Sequence, residues 1–172
     1  MRADPPELVI AATGVLTLAD GTGPERTYKR LDPAAMAEVL ALNTIGPALI
    51  AKHMLGIMPR GRAFTFAALS ARVGSIGDNA LGGWYSYRAA KAALNQFIHT
   101  GAIEVARSHP QAVCVAIHPG TVDTGLSAPF AKSGLQVQAP AEAAARLIAV
   151  IDRLGPGDSG EFFDHRGEHV PW

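Results

Sequence analysis

One cysteine in 172 residues leaves nothing for an internal disulfide to join. Cys114 lies in the apolar run AVCVAI, which fits a reducing, cytoplasmic setting. Charge is sparse at 17% and balanced, with fifteen basic residues against fifteen acidic ones. That balance supplies no electrostatic footprint for nucleic acid or an anionic membrane. No apolar run approaches the roughly 20 residues of a membrane span. The N-terminal MRADPPELVI lacks the apolar core of a signal peptide. Internal repeats and low-complexity tracts are absent too. What is present is a 48% hydrophobic composition, enough to bury one sizeable core, and the expectation is a single globular domain over residues 1–172.

Short apolar runs alternate with helix-like patterns. ELVIAA (7–12), RAFTFAAL (62–69) and AVCVAI (112–117) read as buried strands, and GEFFDH (160–165) as a last one. Residues 32–55 begin with Asp32 as N-cap and Pro33 at the first helical position, a strong helix start. Gly46-Pro47 inside that pattern predicts a kink or a break, because proline removes a backbone donor. Further helices are expected over 85–108, ending before His109-Pro110, and over 140–154, stopped by Gly155-Pro156. The alternation predicts an α/β fold, a Rossmann-like parallel sheet of about four strands with helices on both faces.

Within the second long helix, YSYRAAK places Tyr87 four residues before Lys91. Residues at that spacing share one helix face, with Cβ atoms about 5–6 Å apart. Lowering a tyrosine from its usual value near 10 to about 7 takes roughly 4 kcal/mol of preference for the phenolate. A cation near 4 Å at an effective dielectric of about 20 contributes an energy of that order. The pair could therefore exchange a proton near neutral pH. The spacing alone is equally that of two amphipathic side chains on an ordinary helix. Tyr85, the rival tyrosine, has Ala89 four residues on and no cation on its face.

The chain resembles the short-chain dehydrogenase/reductases, and within them the C-factor or cell-cell signalling group, over nearly its whole length. YSYRAAKAALNQF is similar to the Tyr-x-x-x-Lys helix of that family, and LALNTIGP (40–47) to its asparagine-bearing helix. AIHPGTVDTGL (116–126) resembles its Pro-Gly turn, and ALSARVGSIGDN (68–79) its serine-bearing strand end. The resemblance implies an NAD- or NADP-dependent oxidoreductase acting on a small carbonyl or alcohol. Tyr87 would exchange the proton, Lys91 would tune it and hold the nicotinamide ribose, and Asn43 would hold the helix and a relay water. Gly14, Pro119, Gly120, Val122 and Thr124 would join Tyr87 and Lys91 against the cofactor. The two long helices would pair in a homo-oligomer.

Two departures stand out. The serine position three residues before Gly74 is Ala71. Either Ser70 turns inward as the catalytic serine, or Ser75 substitutes, or the donor is missing. AATG (11–14) stands where the family has Asn-Asn-Ala-Gly after its fourth strand, so the Gly-rich N-terminal half is expected to be absent. That puts activity of the chain in doubt and leaves an inactive remnant, an interaction or signalling module, as the alternative. In the family's sheet the strand 7–12 would lie beside the absent half, and its edge would be bare. The literal Gly-x-Gly-x-x-Gly, GPGDSG (155–160), follows a helix and precedes a strand, the reverse of a phosphate-binding order, and is read as a turn. His165 and His169 sit in a polar tail and are not read as metal ligands, and His118 is read as a packed residue. Trp84 and residues 125–138 are candidates to line or cover the substrate site.

Overall fold

A computed structural model describes residues 4–127, 130 and 137–172. Four parallel strands form the main sheet in the order β1-β2-β3-β6: β1 Leu8–Ala11, β2 Phe64–Leu69, β3 Ala112–His118 and β6 Phe162–Asp164. A two-stranded parallel ribbon, β4 Thr121–Val122 with β5 Val137–Gln138, lies between β3 and the helix α4, Pro140–Ile151. The crossovers are made by α1 (Pro33–Leu40) with α2 (Gly46–Leu55), then by α3 (Tyr85–Ala106), then by α4.

Strand alternation decides which helix each side chain meets. Phe66, Ala68, Cys114, Ala116 and Phe162 pack with Ala51 of α2 and Leu94 and Ile98 of α3. Ala67, Val113, Val115, Ile117 and Phe163 face Leu147 and Ile151 of α4. β1 pairs only with β2 among the described residues. Its Leu8 and Ile10 are half-buried on the α4 side of the sheet.

The first long helix is neither broken nor ended at Gly46-Pro47. Asp32 caps it by accepting from Ala35 N at 2.8 Å. A π-helical turn, Ala41–Ile45, then carries α1 into α2, with Gly46 N–H donating to Ala41 O. The wider turn admits the proline by changing the hydrogen-bond register just before it. The whole of residues 33–55 has a mean hydropathy of 1.5 over its most apolar window, long and apolar enough by composition to cross a membrane. Glu38 and Lys52 interrupt the run, and Val39, Asn43, Pro47 and Ala51 are buried within the fold. Leu42, Ile45 and Leu49 form an outward apolar stripe.

Candidate active site

The π-helical turn presents Asn43, which is fully buried. Its Oδ1 accepts from Val15 N at 3.0 Å, and its Nδ2 donates to Val15 O at 2.9 Å and Val39 O at 3.0 Å. One side chain thus ties the loop after β1 to the helix that covers it. Each bond contributes about 1 kcal/mol net, and leaving the buried partners unpaired would cost more.

Tyr87 and Lys91 lie on the buried face of α3, 8% and 3% exposed. Lys91 Nζ donates to Leu69 O at the end of β2 at 2.8 Å and stands 5.8 Å from the Tyr87 ring centroid. Gly74 allows that approach, since a Cβ there would fall 2.7 Å from Lys91 Cβ and 2.9 Å from its carbonyl carbon. Gly14 joins the group from the β1 side. A Cβ on it would lie 2.8 Å from Asn43 Oδ1 and 3.5 Å from Lys91 Nζ. The structure therefore brings Gly14, Asn43, Tyr87 and Lys91 together from three separate elements.

Electrostatics here are ruled by burial. Loss of water pushes the Tyr87 phenol up to about 12 and the Lys91 ammonium down to about 8. The sequence-based arithmetic placed a cation near 4 Å from the phenol. With Lys91 turned to Leu69 O, desolvation wins instead, and Tyr87 is a protonated acid at neutral pH.

The remaining candidates are placed differently. Ser70 faces α3, where its Oγ donates to Asn95 Oδ1 at 2.6 Å in a buried pair. Ser75 Oγ is bonded to Pro171 O and accepts from Asp78 N at 3.0 Å. Each hydroxyl already donates to a protein partner. Pro119 and Gly120 (φ +80°) make the turn after β3, and Val122 lies in β4. Thr124 is exposed, with Oγ1 3.5 Å from Val122 O. In GPGDSG, Gly155 N–H donates to Asp158 and Ser159 N–H to Pro156 O within a turn between α4 and β6, and Gly160 N–H donates to Cys114 O of β3. His169 packs on Phe163 with ring centroids 4.4 Å apart.

Glu25 and Asn95 are not among the candidates from the sequence, and Trp84 is one only as a lining residue. Glu25 caps α3 from 61 residues away, accepting from Ser86 N at 3.1 Å and from Ser86 Oγ. Nothing local in the sequence marks such a cap. Trp84, at φ +55°, is the one non-glycine residue in left-handed conformation among the described residues and packs edge-on against Tyr87 and Phe130. Of residues 125–138, only 125–127, 130, 137 and 138 are described. Asn95 completes a polar stripe at 87, 91 and 95, a four-residue spacing that the sequence does display. The loop after β1 closes over the site: Leu16, Leu18, Glu25, Val39 and Ser86 border a cavity of about 10 Å³ at Tyr87, room for at most one water.

A family model described as enoyl-(acyl carrier protein) reductase matches residues 10–153. The chain belongs to the short-chain dehydrogenase/reductase family. C-signal of Myxococcus xanthus is 36% identical over 143 residues, 83% of this chain and 81% of that one. The 1-hydroxy-2-glutathionyl-2-methyl-3-butene dehydrogenase of Rhodococcus sp. (strain AD45) is 34% identical over 146 residues, 83% of this chain but 61% of the enzyme. Among solved structures, the NADPH-bound carbonyl reductase from chicken fatty liver superposes with a TM-score of 0.83 at 25% identity, covering 99% of this chain and 68% of its own. The expected fold class and family are both found. The chain spans about 60% of its dehydrogenase relative and about two thirds of the solved reductase.

Proposed function

We propose that this chain carries the proton-transferring part of a nicotinamide-dependent reductase acting on small carbonyl compounds. The observation that supports it is the buried group of Tyr87, Lys91, Asn43 and Gly14, assembled from α3, the π-helical turn and the loop after β1. Tyr87 is protonated at neutral pH, so it suits donation to a carbonyl oxygen as that oxygen gains negative charge. Lys91 uses one of its three donors on Leu69 O and retains others for a ribose hydroxyl. Gly14 lets the loop after β1 pass close to Asn43 and Lys91, and the ribose end of NAD or NADP would be held beside that loop. Bound in its reduced form, the cofactor would supply the hydride to the carbonyl carbon. Asn43 fixes the loop that borders the site, and Trp84 with Glu25 sets the height of the α3 N-terminus beside Tyr87.

Without a donor at Ala71, charge developing on the substrate oxygen meets Tyr87 alone. Loss of one such donor costs about 10²–10³ in rate, so a slow enzyme is the expectation. The outward faces of the long helices, with Leu42, Ile45 and Leu49 on one and Ile103 on the other, support pairing with a second copy.

The test is turnover at millimolar NADPH with a small aromatic aldehyde. NADPH loss matched by alcohol formation is expected. A folded chain that consumes neither would overturn the proposal.

A further inference from the structure

A second, larger cavity lies at the same C-terminal end of the strands, on the β3 and β6 side. It measures about 270 Å³ and gathers residues from the turn after β2, the end of β3, the β4–β5 ribbon, the middle of α4 and the turn after β6. Arg72, Arg146 and Arg166 contribute three guanidinium groups, and His118 and His165 two imidazoles. Its lining includes Gly120 but none of Gly14, Asn43, Tyr87 or Lys91.

The two imidazoles carry the unexplained feature. His118 Nδ1 and His165 Nδ1 are both buried and have no hydrogen-bond partner, although buried polar atoms are nearly always paired. Their rings meet edge-to-face with centroids 6.3 Å apart. Burial first, and His165 second, push His118 down to about 4, so it is a neutral ring at physiological pH.

Free donors, rather than net charge, select the ligand class. Asp164 and Glu168 also line the cavity and Asp78 pairs with Arg72, so three guanidiniums are matched by three carboxylates. Asp164 is largely committed: its Oδ1 accepts from Arg166 N at 2.8 Å and Glu168 N at 3.1 Å, and its Oδ2 lies 3.8 Å from Arg72 Nη1. Arg72 Nε is held by Asp78 at 2.6 Å and Arg146 Nη1 by Gln138 Oε1 at 3.0 Å. Each guanidinium has five N–H donors, so more are present than these acceptors use. A metal cation would be repelled by the arginines. A phosphate, carrying more than one negative charge at neutral pH, would meet the two carboxylates uncompensated. The planar fork of arginine suits a carboxylate, and a neutral imidazole suits a hydroxyl or keto oxygen beside it. The volume is that of a small metabolite, below the usual range of about 300–1,000 Å³ for drug-sized ligands.

We propose that this cavity binds a small monocarboxylate bearing a second polar oxygen, held by Arg72, Arg146 and Arg166 with the His118 and His165 rings beside it. The site shares no lining residue with the Tyr87 group, although its Gly120 is one of the residues that the family resemblance sets against the cofactor.

The probe is lactate, titrated into the full chain without cofactor at constant ionic strength and followed by the ring ¹⁵N and ¹H signals of His118 and His165. Saturable shifts of both rings are expected, with affinity about tenfold weaker in Arg146→Gln and unchanged in Tyr87→Phe. Arg166→Gln, an exposed position, should also weaken binding and serves where Arg146→Gln does not fold. Shifts that never saturate, lactate affinity unchanged in both arginine variants, or tighter binding of inorganic phosphate than of lactate would each overturn the assignment.

Discussion

Lys91 reaches past the Tyr87 ring to the Leu69 carbonyl, 2.8 Å from that oxygen and 5.8 Å from the phenol centroid. Both groups are then penalised in their charged forms, and stability should carry their signatures. Lys91 sits at about 8 when folded against 10.5 as a free side chain, so between those values the unfolded chain binds more protons. Stability therefore rises with pH from about 8 to 10.5, by about 3 kcal/mol over the window. Tyr87 moves from 10.0 up to about 12, so its contribution is lost as pH climbs through that range. Urea melts at stepped pH should show the rise vanish in Lys91→Met and the alkaline loss vanish in Tyr87→Phe.

Asn43→Ala removes one acceptor and two donors that serve buried backbone groups of Val15 and Val39. A loss of about 2–4 kcal/mol is expected in denaturant melts, since the abandoned groups are more costly than the bonds themselves. Asn43→Asp keeps the Val15 N–H acceptor but turns a carboxylate oxygen toward the Val15 and Val39 carbonyl oxygens in a fully buried site, and should lose more. A smaller loss than in Asn43→Ala would mean that the two bonds donated by Asn43 do not hold the loop.

How far the sequence discloses all this differs by element. The strands were legible because a parallel sheet covered on both faces demands unbroken apolar runs, as in AVCVAI. Tyr87 and Lys91 were legible because helical spacing is local. Gly46-Pro47 marked the place of an irregularity, where a kink or a break was expected and a π-helical turn is found; the turn and a break answer the same lost donor, and packing of Asn43 on Val15 goes with the turn. Ser70 against Asn95 and Glu25 against Ser86 join residues 25 and 61 apart in sequence, and no local pattern announces such pairs. The balance between desolvation and cation was hidden too, because it turns on where Lys91 Nζ points.

β1 has one neighbouring strand among the described residues, and its Leu8, Val9 and Ile10 are only half-buried. An apolar edge with unpaired backbone groups invites another chain. Multi-angle light scattering over a concentration series should show a mass that grows with concentration. A single monomeric mass throughout would show that this edge is protected.

If the contacts to the cofactor are confined to the ribose and nicotinamide end, the adenylate half adds little. Three forgone charge-assisted hydrogen bonds, each about 1.5–3 kcal/mol, weaken binding more than a thousandfold. Calorimetry should find no NADP(H) or NAD(H) binding at micromolar concentration, and reduced nicotinamide mononucleotide should serve about as well as NADPH in turnover. A micromolar dissociation constant for the dinucleotide would show an adenylate-binding surface on this chain.

The most direct test of the proposed chemistry is the turnover of Tyr87→Phe against the unaltered chain at millimolar NADPH with an aromatic aldehyde. The substitution removes one oxygen from a side chain buried against Trp84, so fold and cofactor affinity should be kept while the rate falls at least a hundredfold, the usual scale of a lost general acid being about 10²–10⁴. A Tyr87→Phe chain that turns over as fast as the original would contradict Tyr87 as the proton donor.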